Sequence, residues 1–179
     1  MRKIILATAL VAFFALPACE KEKNNDVYGD GPRTSVSSEL QGPWMFGKFS
    51  MTEYWSTNPS SYLGNALEFA IAFQFNANGT YTHYFTAKSV LAGGITYHQS
   101  VTTGTMEVDA TAKVIQLHAF KSHYRRTRNG QVEEDRDMTD GEVRGTTSYT
   151  YTTGVDASGT NALYLKLQNT SEPLTFLKQ

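Results

Sequence analysis

The sequence predicts an all-β domain, folded as a single antiparallel up-and-down β-barrel of about eight to ten strands. Three observations predict it. The segment Leu67-Glu68-Phe69-Ala70-Ile71-Ala72-Phe73-Gln74-Phe75 carries a large apolar residue at every odd position, a period of two that lines one face of a strand. Turn formers recur from Leu40 to Gln179, with Asn129-Gly130 the strongest two-residue hairpin signal. Helix signals are nearly absent over the same span, and only Pro59 to Leu67 would hold a turn or a short helix. Closing such a sheet on itself removes the unpaired edges that would otherwise aggregate.

The chain opens differently. Arg2 and Lys3 precede thirteen mostly apolar residues, Ile4 to Leu16, the length of a signal-peptide core and too short to span a bilayer. Leu16-Pro17-Ala18-Cys19 closes this run, and Cys19 is the only cysteine in 179 residues. These four residues resemble the lipobox of bacterial lipoproteins, where a peptidase cuts before a cysteine whose sulfur has been acylated. The resemblance implies a signal peptide over residues 1–18, lipidation at Cys19 and a membrane anchor of acyl chains such as palmitate. An ordinary secretory signal or an uncleaved anchor shares the charge and the apolar run. The residue after Cys19 is Glu20 rather than Asp, so the inner-membrane retention signal of enteric bacteria is absent. The expected location is the outer membrane, on its periplasmic or cell-surface face.

Loss of Arg2 and Lys3 turns 16 basic and 17 acidic residues into 14 against 17, a net charge of -3. A mildly acidic domain argues against a nucleic-acid partner, which wants a basic face. With Cys19 acylated no thiol remains for a disulfide, a thiolate metal site or a cysteine nucleophile. Residues 19–38 are polar and rich in Gly, Ser and Thr, and are expected to form a flexible tether. Their charged start, Glu20-Lys21-Glu22-Lys23, is similar to a surface-export signal, although a solvated tether needs the same composition. Residues 39–179 then form one domain, long enough to bury a core.

The strands follow in order. A first strand is expected from Trp44 to Trp55. Asn76-Ala77-Asn78-Gly79 joins the alternating segment to Thr80–Phe85 through a three-residue loop with Gly79 left-handed, which sets Phe75 opposite Tyr81, Phe73 opposite His83 and Ile71 opposite Phe85. Ile95 to Thr103 alternates, Gly104 marks a bulge or bend, and Thr105 to Val108 leads into an Asp109–Ala112 turn. Val114 to Arg128 is a long strand with Ile115, Leu117 and Ala119 on one face. Across Asn129-Gly130 the expected pairs are Arg128 with Gln131, Thr127 with Val132, Arg126 with Glu133 and Arg125 with Glu134. Thr146–Thr153, Asn161–Gln168 and Pro173–Lys178 complete the set.

Gly42-Pro43-Trp44 at the head of the first strand fits the Gly-x-Trp of lipocalins, whose tryptophan plugs the closed end of a barrel. Phe73-x-Phe75-x-x-x-Gly79-Thr80-Tyr81, Gly104-Thr105-Met106-x-Val108-Asp109 and Ile115-x-Leu117 resemble the strand and turn pattern of small bacterial lipocalin-like lipoproteins. The similarity covers most of residues 39–178. It departs in two places: Thr139-Asp140-Gly141 fits the second lipocalin motif poorly, and no arginine follows the last strands to cover Trp44, Lys178 being the only basic residue there. The resemblance implies a lipocalin-like barrel binding a small hydrophobic or amphiphilic ligand, with Trp44, Phe69, Phe73, Phe75, Tyr81, His83 and Phe85 as candidate ligand-binding residues. Those aromatic side chains could equally fill the barrel solid.

Other chemistry is poorly represented. His118 and His123 are five apart and are expected on opposite faces, and neither they nor His83 and His98 have ligand spacing, so no metal site or cofactor is expected. There is no Gly-x-Ser-x-Gly, phosphate-binding loop or isolated carboxylate pair, so an enzyme is not expected. Arg125, Arg126 and Arg128 are candidates for docking an unidentified protein partner, or simply one arm of a hairpin neutralised by its acidic strand. Tyr149 and Tyr151 share a face that suits amphiphilic ligands and also suits any strand. Two functions follow: a lipid-anchored envelope lipoprotein that carries a small molecule, or a non-enzymatic interaction or structural module with a filled barrel in an envelope complex.

Overall fold

The computed structural model describes residues 25–48, 51, 54–55, 69–91, 93–143, 145–168 and 170–179. The expected signal peptide, Cys19 and the short helix expected from Pro59 to Leu67 lie outside the described residues. The chain is all-β, as expected. Its strands are β1 (Gly42–Phe46), β2 (Phe69–Phe75), β3 (Thr80–Leu91), β4 (Gly94–Asp109), β5 (Val114–Arg128), β6 (Gln131–Asp137), β7 (Thr146–Val155), β8 (Asn161–Leu167) and β9 (Leu174–Lys178). Among the described residues two single-turn helices accompany them, α1 (Asn25–Tyr28) and α2 (Asp140–Val143).

All pairings are antiparallel, and the nine-stranded sheet closes in a ring. From β1 to β5 each strand pairs with the next, and β7, β8 and β9 return to β1. β5 is shared: Val114 to His118 pair with β7, whereas His123 to Arg128 pair with β6. So β6 stands outside the closed circuit, on the part of β5 that does not pair with β7. The β2–β3 register is as expected, with Phe75 opposite Tyr81, Phe73 opposite His83 and Ile71 opposite Phe85. Gly79 takes φ +77, the left-handed conformation the loop requires.

Alternation divides the sheet into two faces. Inward residues Trp44, Phe73, Phe75, Met106, Ile115, Leu163 and Phe176 are nearly fully buried together, each large side chain contributing roughly 1.5–3 kcal/mol of burial. Outward residues Met45, Ala70, Ala72 and Tyr97 form a second cluster under Tyr54. The first strand is shorter than expected. It ends at Phe46, where Gly47 takes φ +86 and turns the chain away. Tyr54 and Trp55, expected in that strand, lie in a turn over the outer face, and the Tyr54 hydroxyl donates to the Phe85 carbonyl. Ala70 and Ala72 leave room for Tyr54 to sit there.

Within the expected tether, residues 34–36 pack against the ring. Thr34 N–H donates to the Met106 carbonyl at 3.0 Å and Val36 N–H to Ala77 at 3.1 Å. Val36 and Leu40, 4% and 1% exposed, seal the ring interior beneath Trp44. The Trp44 indole donates to the Leu40 carbonyl at 2.7 Å. Two isolated apolar residues in a polar run thus find partners only in the folded ring.

Two bulges change the sequence-based pairing. Thr103 pairs Lys121 and Gly104 pairs Ala119, which leaves Phe120 as an extra residue. A Cβ on Gly104 would lie 2.1 Å from the His118 carbonyl oxygen, so glycine is needed for this approach. Because Phe120 adds one residue, His118 and His123 share the outer face rather than opposite faces as expected. The hairpin at Asn129-Gly130 keeps Thr127 with Val132 and Arg128 with Gln131, then slips by one, so that Arg126 opposes Glu134 and Arg125 opposes Asp135. Glu133 is the bulged residue there.

Candidate functional site

Beyond the packed tier of Trp44, Phe75 and Met106, on the side of the β6–β7 connection, the ring holds a cavity of about 230 Å³. Its walls come from Phe73 on β2, Tyr81 and His83 on β3, Ser100 and Thr102 on β4, Leu117, Ala119 and Ser122 on β5, and Thr147 and Tyr149 on β7. Met138, Glu142 and Val143, in and beside α2, border its mouth. The interior is therefore divided: one half is packed solid, and the other keeps space.

The space has a sequence origin. Inward positions on β4 and β5 carry Ser100, Thr102, Ala119 and Ser122, whereas inward positions nearer the tryptophan carry Met106, Ile115 and Leu117. Small residues opposite large aromatic ones leave a gap that the aromatics wall. His83 stacks on Phe73 with ring centroids 4.8 Å apart and planes 21° from parallel, and Tyr149 meets Phe73 edge-on at 6.3 Å. Thr102 and Ser122 share a hydrogen bond of 2.8 Å.

Burial sets the protonation of this lining. It lowers the His83 pKa from the usual imidazole value to about 4, so the ring is neutral at physiological pH. Burial also raises the Tyr81 hydroxyl, with the Tyr149 phenol adding to the effect, and raises Tyr149 itself. Among the described residues, neither phenol hydroxyl nor the His83 ring has a hydrogen-bond partner. Among the described residues these three polar groups thus face the same cavity without a protein partner, open to bonding by whatever occupies it.

α2 is held over the mouth by charge. Thr139 precedes it, its N–H and hydroxyl each donating to the Glu142 carboxylate at 2.8 Å, so the carboxylate reaches back to the first N–H as in one half of a capping box. Thr139-Asp140-Gly141 forms this turn into α2. The Arg136 guanidinium grips the same carboxylate at 2.8 and 2.9 Å and reaches Glu134 at 2.6 Å. These bonds, the Arg136 pair foremost, hold the Glu142 pKa down to about 2 and raise that of Arg136.

Of the seven candidate ligand-binding residues, Phe73, Tyr81 and His83 line the cavity. Trp44 and Phe75 belong to the solid tier, and Phe69 stacks on Phe46 at 5.3 Å with 36% of its surface exposed. Phe85 is half-buried and does not border the cavity. The Lys178 ammonium lies over the Trp44 ring at 4.3 Å and donates to the Gln41 carbonyl, so a lysine covers the tryptophan. The candidate docking arginines are all engaged. Arg125 donates to the Trp55 carbonyl at 2.8 Å, Arg126 meets Glu133 at 3.1 Å, and Arg128 donates to the Gly93 carbonyl at 3.2 Å.

His118 bonds Glu107 at 2.9 Å and His98 bonds Tyr124 at 2.7 Å. His123 bridges Asp137 at 2.8 Å and Asp135 at 2.7 Å, and these bonds, that to Asp137 first, raise its pKa against the opposing effect of burial. Among the described residues, no group of three or more such side chains is arranged to hold a metal ion. Residues not anticipated from the sequence are the hydroxyl wall, Ala119 and the α2 lid. A signal was present in the small and hydroxyl residues at inward positions Ser100, Thr102 and Ser122. No family model, curated protein or solved structure matches the chain.

Proposed function

We propose that this protein is a lipid-anchored lipoprotein of the bacterial outer membrane whose lipocalin-like barrel binds a small hydrophobic or amphiphilic molecule. The observation that carries the reading is the cavity beside Phe73, with Tyr81, His83 and Tyr149 facing it unpartnered among the described residues. An aromatic wall with a few convergent polar groups is the usual make-up of a small-molecule site. The closed ring, the buried Trp44 and the Lys178 ammonium above it support the lipocalin-like reading. The lipobox-like Leu16-Pro17-Ala18-Cys19 supports the anchor. In this reading the protein acts by binding; among the described residues of the lining no nucleophile is paired with a base. The rival, an interaction module docking through Arg125, Arg126 and Arg128, has less support because each guanidinium already bonds within the chain.

Native mass spectrometry of the protein, purified from its membrane in mild detergent, tests the reading. A reproducible small-molecule adduct, absent from an Ala119→Leu variant that fills the cavity, is the expected result. A clean apo mass for wild type would count against a carrier and direct the search to protein partners.

A further inference from the structure

We infer that the molecule held here is a neutral, compact aromatic of about one ring carrying a hydroxyl or similar hydrogen-bonding group, in short a phenol-like ligand. This rests on the carrier reading above and narrows it by size, shape and charge.

Size comes first. The cavity measures about 230 Å³, whereas about 150 Å³ suffices for benzene in an engineered protein cavity and drug-sized ligands occupy about 300–1,000 Å³. One substituted ring fills that volume, whereas a long acyl chain would have to extend out through the mouth. Shape agrees. The Phe73–His83 stack presents a flat wall and Tyr149 closes it edge-on, which favours a planar guest over a branched aliphatic one. Polarity then sets the substituent. The Tyr81 and Tyr149 hydroxyls donate or accept, and neutral His83 offers one of each, so a ligand hydroxyl can both give and receive a hydrogen bond.

Charge excludes the alternatives. Among the described residues no lysine or arginine lines the cavity, and the carboxylate that borders it, Glu142, is already gripped by Arg136. An anion would enter past that carboxylate and lie desolvated with no cation beside it among the described residues. A cation would find, among the described residues inside, neutral groups alone.

The test is ¹⁹F NMR on the detergent-solubilised full-length protein, with 4-fluorophenol, 4-fluorotoluene and 4-fluorobenzoate as probes and lauric acid as competitor. Ala119→Leu in the same detergent gives the background. The expected result is that 4-fluorophenol binds wild type about tenfold tighter than 4-fluorotoluene, with no binding of 4-fluorobenzoate and no displacement by laurate. Tyr81→Phe and Tyr149→Phe should each weaken 4-fluorophenol by up to about tenfold and leave 4-fluorotoluene unchanged. Equal or tighter binding of 4-fluorotoluene, binding of 4-fluorobenzoate, or displacement by laurate would overturn the ligand class while leaving the cavity as the site. If no probe distinguishes wild type from Ala119→Leu, the ligand class and the carrier reading both fall.

Discussion

Replacing His83 by phenylalanine should make the protein less sensitive to acid. In the folded state burial lowers the His83 pKa to about 4, against about 6.5 in an unfolded chain. The unfolded state therefore binds more protons between these values, and stability falls as pH falls through the window. Near pH 7.5 the effect is negligible. It reaches about 1 kcal/mol near pH 5.5 and between about 2 and 3 kcal/mol near pH 4.5, and it levels off below the folded pKa. These are upper figures, because a ring bordering a cavity keeps some hydration. His83→Phe preserves the stack on Phe73 and removes the titrating group. Other groups titrate too: His123, whose pKa is raised, contributes stability at low pH that is lost as pH rises. They contribute equally to both proteins and cancel in the difference. Urea unfolding near pH 7.5 and near pH 4.5 reads the result. Wild type should lose between about 2 and 3 kcal/mol more than His83→Phe on acidification. Parallel losses, equal within about 0.5 kcal/mol, would refute a buried neutral imidazole.

Three further outcomes are expected. Gly104→Ala drives a methyl group into the His118 carbonyl, 2.1 Å from the added carbon, and should destabilise the protein by about 1–3 kcal/mol in urea unfolding. Glu142→Gln removes the charge that holds α2 to Arg136 and Thr139; hydrogen exchange should quicken from Met138 to Val143 while the unfolding midpoint barely moves. Cys19→Ser should abolish labelling by radioactive palmitate and release the protein from the membrane fraction, whereas retained label would place the lipid elsewhere or remove it from the proposal.

What the sequence made legible was periodic. The alternation of β2 and the left-handed Gly79 determine a pairing register, because a slip of one residue would turn Phe73 and Phe75 to solvent. Asn129-Gly130, with φ +48 and +79, sets the β5–β6 turn in the same local way. What stayed hidden depends on single residues or distant partners. Phe120 and Glu133 each add one residue to a strand, and nothing in a period-two pattern marks the insertion. The bulge at Phe120 alone moved His123 to the face of His118. Val36 and Leu40 sit in a polar stretch without periodicity, and only the ring end they cover explains their burial. The cavity was half legible. Phe73, Tyr81 and His83 follow from the hairpin register, but its open volume reflects small residues on β4 and β5 that become opposite only when the ring closes. The lid needs Arg136 on β6 to meet Glu142 beyond it, a pairing with no local signature.

The most direct measurement of whether the cavity is a ligand site is a crystal grown with 4-bromophenol, with the bromine located by anomalous diffraction. The expected result is one strong peak inside the ring, between the Phe73–His83 stack and Tyr149, that disappears in Ala119→Leu crystals. A bromine peak only on the outer surface, or ordered water bonded to Tyr81, His83 and Tyr149 in crystals soaked to saturation, would contradict it.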